Sequence, residues 1–337
     1  MKNSVCFRFA LMLLTSLTLF GGEFNVEQLK HRYSVGSPDS AHVFSKLDKN
    51  FFVTKGNHVF VCDMSGGKVF HFGPDGKLVG VVGKPGSGPG EYRLPFTVIS
   101  NEKTIMVSDM MRRRVLTFKM SGEYISTIEG YMVERFISMY EDGTYIAVVM
   151  GGRKGRQVLR FAADGKEVGS LLSLTEKKSK RSDFVAAPKF TLTAFEDGYV
   201  YVPSELFSFR VYNEVGKPIN KIEKEFERVA YIPEEHAKGG IVTFGGGSGE
   251  MPLARKQKFE RDIQRVASSE DGFWVTTALK NDKGNRLVFT YDKKGTPTGK
   301  LSMPGKYGMP YRVEAKIVWT LNFSEEHGVN YLMRLDR

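Results

Sequence analysis

Cysteine is nearly absent from this sequence, and its scarcity excludes a fold held together by disulfides. The 337 residues include only Cys6 and Cys62. Cys6 lies in an N-terminal segment that we expect to be cleaved, so the mature chain has no second thiol for an intramolecular bond. Cys62 lies within the alternating segment VFVCDM, where a single cysteine is more typical of a small core residue than of a nucleophile.

Sequence signatures of catalysis are also missing. The chain contains no Gly-x-Ser-x-Gly elbow, no His-Glu-x-x-His motif and no Cys-x-x-Cys pair. The glycine-rich stretch GKPGSGPGEYRLPFTV, residues 83–98, leads into a strand-like segment and not a helix. This argues against a phosphate-binding loop, which holds its anion at a helix N-terminus. The histidines fall at different positions of the repeat described below and give no sign of a shared site: His31, His42, His58, His71, His236 and His327.

Long hydrophobic runs are limited to one, near the N-terminus. Residues 9–20 are uncharged, follow Lys2 and Arg8, and precede two glycines. This pattern predicts a secretory signal peptide over residues 1–22, and the run is short for a membrane span. An uncleaved anchor is the alternative. We therefore expect an exported protein, periplasmic or extracellular, with no membrane span in the mature chain.

What the sequence does contain is a β-rich repeat. A glycine with polar neighbours recurs between two alternating segments, as is typical of a hairpin turn that needs a positive φ. Segments rich in β-branched and aromatic residues precede each turn, among them VFHF, VLTF, VLRF, FRVY and VFTY. The turn glycines are Gly76, Gly122, Gly165, Gly216 and Gly295, spaced 46, 43, 51 and 79 residues apart.

Units of this length with four strands each predict a β-propeller. Five units carry the glycine turn. A sixth is assembled from both ends of the chain, with KIVWTLNF and NYLMRLDR as middle strands, residues 28–36 as the last strand and residues 309–313 as the inner strand. The predicted fold is all-β: a six-bladed β-propeller with four-stranded blades, its ring closed by strands from both termini. It forms a single domain over residues 23–337.

Three segments, GSGPGEYRLP, VSDMMRRRVLTF and SGEYISTIEG, resemble the NHL-repeat type of six-bladed β-propeller. The match covers Asn50 to Gly130. From about Arg135 onwards only the alternating pattern of the strands is retained. The resemblance implies that the glycine-rich stretch carries the chain from the outer strand of one blade to the inner strand of the next. It says little about function, because one fold serves many functions.

Basic residues outnumber acidic ones, giving a net charge of +11, or about +9 without the signal peptide. In a propeller, the connections between second and third strands and those between blades emerge at one end, here called the top face. Several basic clusters fall in these connections, so we expect a positive potential that attracts an anionic ligand or acidic protein. The alternative is solvated surface charge, with one arginine per repeat anchoring a strand. The candidate ligand-binding residues are Arg112, Arg113, Arg114, Arg153, Lys154, Arg156, Lys178, Arg181, Arg255 and Lys256.

Asp63 and Asp109 motivate a second hypothesis. Both end a second strand, where a pair of carboxylates could hold a divalent cation such as calcium in a metal-dependent hydrolase or lyase. The alternative is that each carboxylate accepts hydrogen bonds from the turn that follows it. Later units replace the acid by Met150, Pro203 and Thr276, which counts against metal chemistry.

Residues 228–260 form an insertion between the fourth and fifth units. Its length is typical of a binding loop or a surface excursion, and its apolar residues favour packing over the top face. We expect a monomeric, non-catalytic binding propeller without a cofactor, whose partner is a protein or an anionic ligand at the top face. Some NHL domains bind RNA on a basic face, but the export signal argues against a nucleic acid here.

Overall fold

The structure, a computed structural model, describes residues 26–44, 47, 50–151, 155–174, 191–195, 198–203, 206–230, 259–314, 316–324, 326–327 and 329–336. Within these ranges the chain forms 26 β-strands and short 3₁₀ turns at Val26–Gln28, Met110–Arg112 and Gly305–Tyr307. No helix in this part of the chain is long and apolar enough to cross a membrane. The predicted signal peptide, residues 1–22, and residues 231–258 of the insertion lie outside the described residues.

Six four-stranded antiparallel blades make up the fold. From the inner strand outwards, blade 1 is β2 (Phe51–Val53), β3 (Val59–Asp63), β4 (Lys68–Phe72) and β5 (Leu78–Val81). A small parallel pair, β6 (Lys84–Pro85) and β7 (Glu91–Tyr92), follows it. Blade 2 is β8 (Pro95–Ser100), β9 (Thr104–Asp109), β10 (Arg114–Lys119) and β11 (Tyr124–Glu129); blade 3 is β12 (Val133–Met139), β13 (Tyr145–Met150), β14 (Arg156–Phe161) and β15 (Glu167–Leu174).

The second half of the ring repeats this pattern. Blade 4 is β16 (Thr191–Phe195), β17 (Gly198–Val202), β18 (Ser208–Asn213) and β19 (Pro218–Glu223). Blade 5 is β20 (Ile263–Ser269), β21 (Gly272–Lys280), β22 (Arg286–Asp292) and β23 (Pro297–Met303). Blade 6 is β24 (Met309–Val313), β25 (Ile317–Ser324), β26 (Val329–Asp336) and, as its outer strand, β1 (Lys30–Val35).

The ring is closed by pairing between the two ends of the described chain. β1 runs antiparallel to β26, with Val35 opposite Leu332 and Lys30 opposite Asp336. Blade 6 therefore takes its outer strand from the start of the chain and its other strands from the end, which confirms the predicted closure. Blades 5 and 6 are also joined by a short parallel pairing of β20 with β24, Ser268 opposite Arg312.

Apolar packing between neighbouring blades supplies the core. Six clusters of buried side chains lie in the described residues, and each joins two adjacent blades. Each blade is therefore buried on both faces, and the middle strands read as nearly continuous apolar runs, such as VFVCD in β3 and YIAVVM in β13. Cys62 belongs to the cluster between blades 1 and 2 and is fully buried, as expected for a core cysteine.

The recurring glycines occupy the predicted hairpin turns. Their φ angles lie between 79° and 86°, a left-handed conformation in which a Cβ atom is strained. In each turn the glycine amide donates to the carbonyl oxygen three residues earlier, at 2.9–3.0 Å. Each turn is followed by a shift in strand register, as in three-residue hairpin loops that end in a bulge. The set is Gly76, Gly122, Gly165, Gly216 and Gly295.

Substituting these glycines should separate backbone strain from crowding. A Cβ on Gly122 has no atom nearer than 3.6 Å, whereas a Cβ on Gly165 would collide with Ile128 of the previous blade. We expect Gly122→Ala to lower the free energy of unfolding by about 1 kcal/mol, and Gly165→Ala by about 1 kcal/mol more. Urea unfolding measures both.

Gly169→Ala is the matched control. Gly169 lies within β15 at an ordinary φ with open space around its Cβ position, so this variant should be neutral or slightly more stable. Equal destabilisation by all three substitutions would contradict the turn geometry.

Candidate functional site

Three consecutive arginines lie at the top of blade 2, between β9 and β10. Arg112 is half-buried and donates to the carbonyl oxygen of Ser87 at 3.3 Å. Arg113 is exposed and has a left-handed φ of 54°. Arg114 is buried. The first two side chains are therefore available at the surface, whereas the third is enclosed.

Arg114 forms an internal tie with Asp109. Its Nε and Nη2 atoms donate to Asp109 Oδ2 at 3.3 Å, and Nη2 also donates to the carbonyl oxygen of Glu91 at 2.6 Å. The Asp109 side chain is fully buried and accepts the backbone amides of Arg93 and Leu94 at 3.1 and 3.2 Å. The prediction that Asp109 caps the turn that follows it is wrong, because the carboxylate binds the preceding interblade connection instead.

Asp63 behaves as the turn hypothesis predicts. Its Oδ1 accepts the amides of Ser65 and Gly66, both at 3.1 Å, in the turn between β3 and β4. Equivalent positions in two blades thus serve different local purposes. Among the residues that the structure describes, no group of three or more His, Cys, Asp and Glu side chains is arranged to hold a metal ion.

The other predicted basic residues divide into two groups. Arg156, the first residue of β14, is half-buried and forms an ion pair with Glu134 at the top of β12. It therefore lies at the same end of the ring as Arg112. The rest of the set lies outside the described residues: Arg153, Lys154, Lys178, Arg181, Arg255 and Lys256.

The glycine-rich connection of residues 83–94 does surround an anion, and that anion is a side chain of the protein. Glu91 Oε2 accepts the amides of Ser87 and Gly88 at 2.7 and 2.8 Å, and Lys84 lies 3.2 Å from Oε1. The Gly88 and Ser87 amides, with Lys84, lower the pKa of the Glu91 carboxyl. The connection leads from β5 to β8 as the resemblance implies, and the amides of Ser87 and Gly88 are occupied by Glu91.

The described ends of the insertion pair with each other beside blades 4 and 5. Ala230 and Phe259 form an isolated antiparallel bridge. Arg228 pairs with the buried carboxylate of Asp262 at 3.2 Å, and its guanidinium lies 4.7 Å from the Phe259 ring centroid. Asp262 also accepts the amide of Phe207 at 2.8 Å. The base of the insertion is thus tied to blade 4.

A channel runs through the centre of the ring and is lined by the inner strands of all six blades. Its cavity volume is about 1070 Å³, which suits a small ligand. Five basic side chains line it: Lys55 and Arg261 in connections, and, on the inner strands of three blades, Arg135 of β12, Arg265 of β20 and Arg312 of β24. The sequence-based predictions missed all three, because they searched the loops for charge and not the inner strands.

Tyr311 lies among these arginines. Its ring is 4.5 Å from that of Phe51, centroid to centroid. Burial raises the pKa of the Tyr311 hydroxyl, while the charges of Arg265, Arg312 and Arg135 act in the opposite direction. The hydroxyl therefore lies within electrostatic reach of three guanidinium groups from three different blades.

Two histidines that are separate in the sequence form a close pair. His58 Nδ1 and His71 Nε2 are 2.9 Å apart, and one of them donates to the other. The His71 ring stacks on Phe60 at 4.4 Å. Burial, followed by the nearby His58, lowers the pKa of His71 from 6.5 to about 4. The register of β3 with β4 brings the two rings together. This pair was not predicted from the sequence, because the histidines fall at irregular positions along the repeat.

Removing the charge of Asp109 should destabilise the protein strongly. Asp109→Asn would leave the Arg114 guanidinium buried without its counter-charge, so we expect the free energy of unfolding to fall by about 3 kcal/mol. Asp63→Asn is the matched control, because an amide oxygen still accepts the two turn amides; it should cost less than about 1 kcal/mol. Chemical denaturation compares them, and equal losses would contradict the assigned roles.

The His71 environment should make stability depend on pH. The folded protein keeps His71 neutral down to about pH 4, whereas the unfolded chain takes up a proton near 6.5. Stability is therefore lost as the pH falls through this window, by about 2 kcal/mol between pH 7 and pH 5. His71→Gln should remove that part of the pH dependence in urea titrations. An unchanged pH dependence in the variant would show that the His71 pKa is not lowered.

Comparisons with known proteins agree with this architecture. A search of the curated proteins finds no significant match. The chain is similar in structure to a candidate exported protein from Bacteroides fragilis, with 12% identity, a TM-score of 0.55 and coverage of 93% of this chain and 96% of that one. It is also similar to a member of the DUF4221 family from Bacteroides vulgatus, with 10% identity, a TM-score of 0.57 and coverage of 92% and 97%.

At these identities the structural likeness shows the fold alone. A family model, DUF5128, described as a 6-bladed beta-propeller, matches residues 49–239, more than half of the chain. The six four-stranded blades and the family match lead to the same conclusion: the chain belongs to the DUF5128 family of 6-bladed beta-propellers.

Proposed function

We propose that this protein is an exported, monomeric β-propeller that binds an acidic protein through its top face, without catalysis and without a cofactor. The observation that carries this proposal is the composition of the top face over blades 2 to 4. Exposed arginine and exposed large apolar side chains lie there together, a combination that is enriched in protein interfaces.

The apolar part of this surface lies in, or directly beside, the connections between second and third strands. Met111 is 67% exposed, Leu206 is 53% exposed and Met150 is 36% exposed, each at this position in its own blade. Phe259, at the base of the insertion, is 39% exposed. Repetition of exposed apolar residues at one end of three neighbouring blades favours a docking surface over scattered surface residues.

The basic part supplies attraction for acidic partners. Arg112 and Arg113 stand beside Met111, and Arg156 lies beside Met150 on the next blade. We propose that Arg153, Lys154, Lys178, Arg181, Arg255 and Lys256 extend this potential. Arg114 serves differently: it fixes the Glu91 backbone and Asp109, and so holds the connection from which Arg112 projects. The net charge of +11 has the sign that this recognition needs.

Export is the second part of the proposal. It is supported by the uncharged run of residues 9–20 behind a basic N-terminus. The description of the Bacteroides fragilis neighbour as a candidate exported protein is consistent with it. We also propose that the repeats over residues 50–130 are of the NHL type. The buried pair of Asp109 with Arg114, which joins two positions of the repeat pattern, supports this.

A glutamate-rich synthetic peptide that also carries leucine and phenylalanine tests the proposal. We expect binding to the mature protein that weakens from low to physiological salt, and a further loss of about tenfold in the double variant Arg112→Gln/Arg113→Gln. Met111→Ser should weaken binding without altering its salt dependence. Biolayer interferometry measures all three.

The control removes the same charge from the opposite face. Lys77 and Lys166 are exposed in turns between third and fourth strands, so Lys77→Gln/Lys166→Gln should leave peptide binding unchanged. An equal loss in both double variants would mean that only net charge matters. A peptide affinity that does not change with salt concentration would overturn the electrostatic part of the proposal.

A further inference from the structure

The inner strands place arginine at equivalent positions of two blades. In β12 the pairing register shifts between Val133 and Arg135, and in β20 it shifts at the same point, between Ile263 and Arg265. A shift of this kind turns the side chain that follows it. In blade 2 the equivalent residue, after the shift between Pro95 and Thr97, is threonine. All three residues line the central channel.

Arg312 adds a third guanidinium, on a backbone position three residues, or about 10 Å, further along the channel than Arg265. It follows a register shift in β24, and the parallel pairing of β20 with β24 sets it level with Ser268. Its Nε donates to Glu314 at 2.9 Å and its Nη1 to the carbonyl oxygen of Val53 at 3.3 Å. These bonds hold the guanidinium in place on the wall of the channel.

Along the channel, Tyr311 lies between the levels of Arg265 and Arg312. Its hydroxyl is on the same wall of the channel. Phe51 packs against its ring and limits its movement. Guanidinium groups donate in a planar fork that matches carboxylate and phosphate oxygens, and a phenol donates one further hydrogen bond. The arrangement is therefore one of several donors, with positive charge, around a common space.

Most of the acidic side chains that line the same channel lie at one end of it. Glu102, Glu141 and Glu270 are exposed and lie at the far ends of the inner strands, where each strand turns into the next. Glu102 accepts the amide of Gly56, and Glu314 is paired with Arg312. Arg135 and Arg265, the third residues of their strands, thus lie nearer the top face, whereas these three glutamates and Lys55 lie at the opposite mouth.

We propose that the central channel binds a small compound bearing two or more oxyanion groups, carboxylate or phosphate, through Arg135, Arg265 and Arg312 with a hydrogen bond from Tyr311. Two groups are specified because Arg135 and Arg265 stand on blades 3 and 5, with blade 4 between them. This site uses none of the top-face residues assigned above, so it can be tested independently of the docking surface.

Calorimetry with citrate and with pyrophosphate, at low ionic strength, tests the channel site. We expect saturable one-to-one binding of at least one of them. Arg135→Gln and Arg265→Gln should each weaken it at least tenfold, and Tyr311→Phe several-fold. Binding of citrate alone assigns a carboxylate ligand, and binding of pyrophosphate alone assigns a phosphate ligand.

Lys77→Gln/Lys166→Gln, which removes two charges from the outer surface, is the control and should bind as the wild type does. Thermal unfolding checks that each variant is folded; if Arg265→Gln is not, Arg135→Gln and Tyr311→Phe still decide the question. Absence of binding to both anions overturns the proposal. So does binding that the channel variants leave intact or that the control weakens equally.

Discussion

The structure depends on apolar packing between the faces of neighbouring blades. Each sheet is buried on both sides, so no blade is complete without two neighbours, and an open ring would expose two apolar faces. Pairing of β1 with β26 removes that problem. The seam between blades 6 and 1 is reinforced around Tyr33: its ring meets Trp319 edge-on at 5.7 Å, and its hydroxyl donates to the Pro74 carbonyl oxygen at 2.7 Å. Arg334 donates to the same oxygen at 3.0 Å. Stability of the ring and function of its faces are therefore linked, because the connections on each face are positioned by blades that cannot shift independently.

The top face shows how the ring fixes its own loops. In the connection after blade 1, Glu91 binds the glycine-rich turn, Tyr92 donates to the Val82 carbonyl oxygen at 2.8 Å and accepts the Val69 amide at 3.1 Å, and Asp109 binds the last two amides before β8. The glycines let backbone amides converge on a carboxylate, as they would on a phosphate, but the carboxylate is internal. Arg112, from the connection between β9 and β10, donates to Ser87 of this loop, and a side chain held in this way binds at small entropic cost, which favours recognition by a preformed surface.

Much of the fold could be predicted from the sequence because propeller repeats are local. A glycine that needs a positive φ, flanked by alternating strands, marks each hairpin regardless of the rest of the chain, and the two incomplete units at the ends complement each other in strand content. The candidate functional residues were harder to predict from the sequence. Asp63 and Asp109 look identical in the repeat, yet one caps its own turn and the other is buried against Arg114, where blade 1 has Lys68 opposite Asp63. The pairing of His58 with His71 and the alignment of Arg135 with Arg265 depend on strand register and on shifts in it, which no residue pattern specified.

The architecture does not require an arginine at the position of Arg135 and Arg265. Two pairs of neighbouring blades are joined near the channel by uncharged groups: Ser108 donates to the Val133 carbonyl oxygen at 2.8 Å, and Thr193 donates to that of Val266 at 3.0 Å. At the position of Arg135 and Arg265, blade 2 carries Thr97 and folds in the same way. A guanidinium placed inside a protein loses hydration that a threonine does not need, and two more positive charges facing one channel repel each other. An anionic ligand that binds the folded state at this position would add to stability by mass action. The two proposals therefore concern different parts of the ring: an open surface at the top face for a large acidic partner, and the central cavity for a small anion.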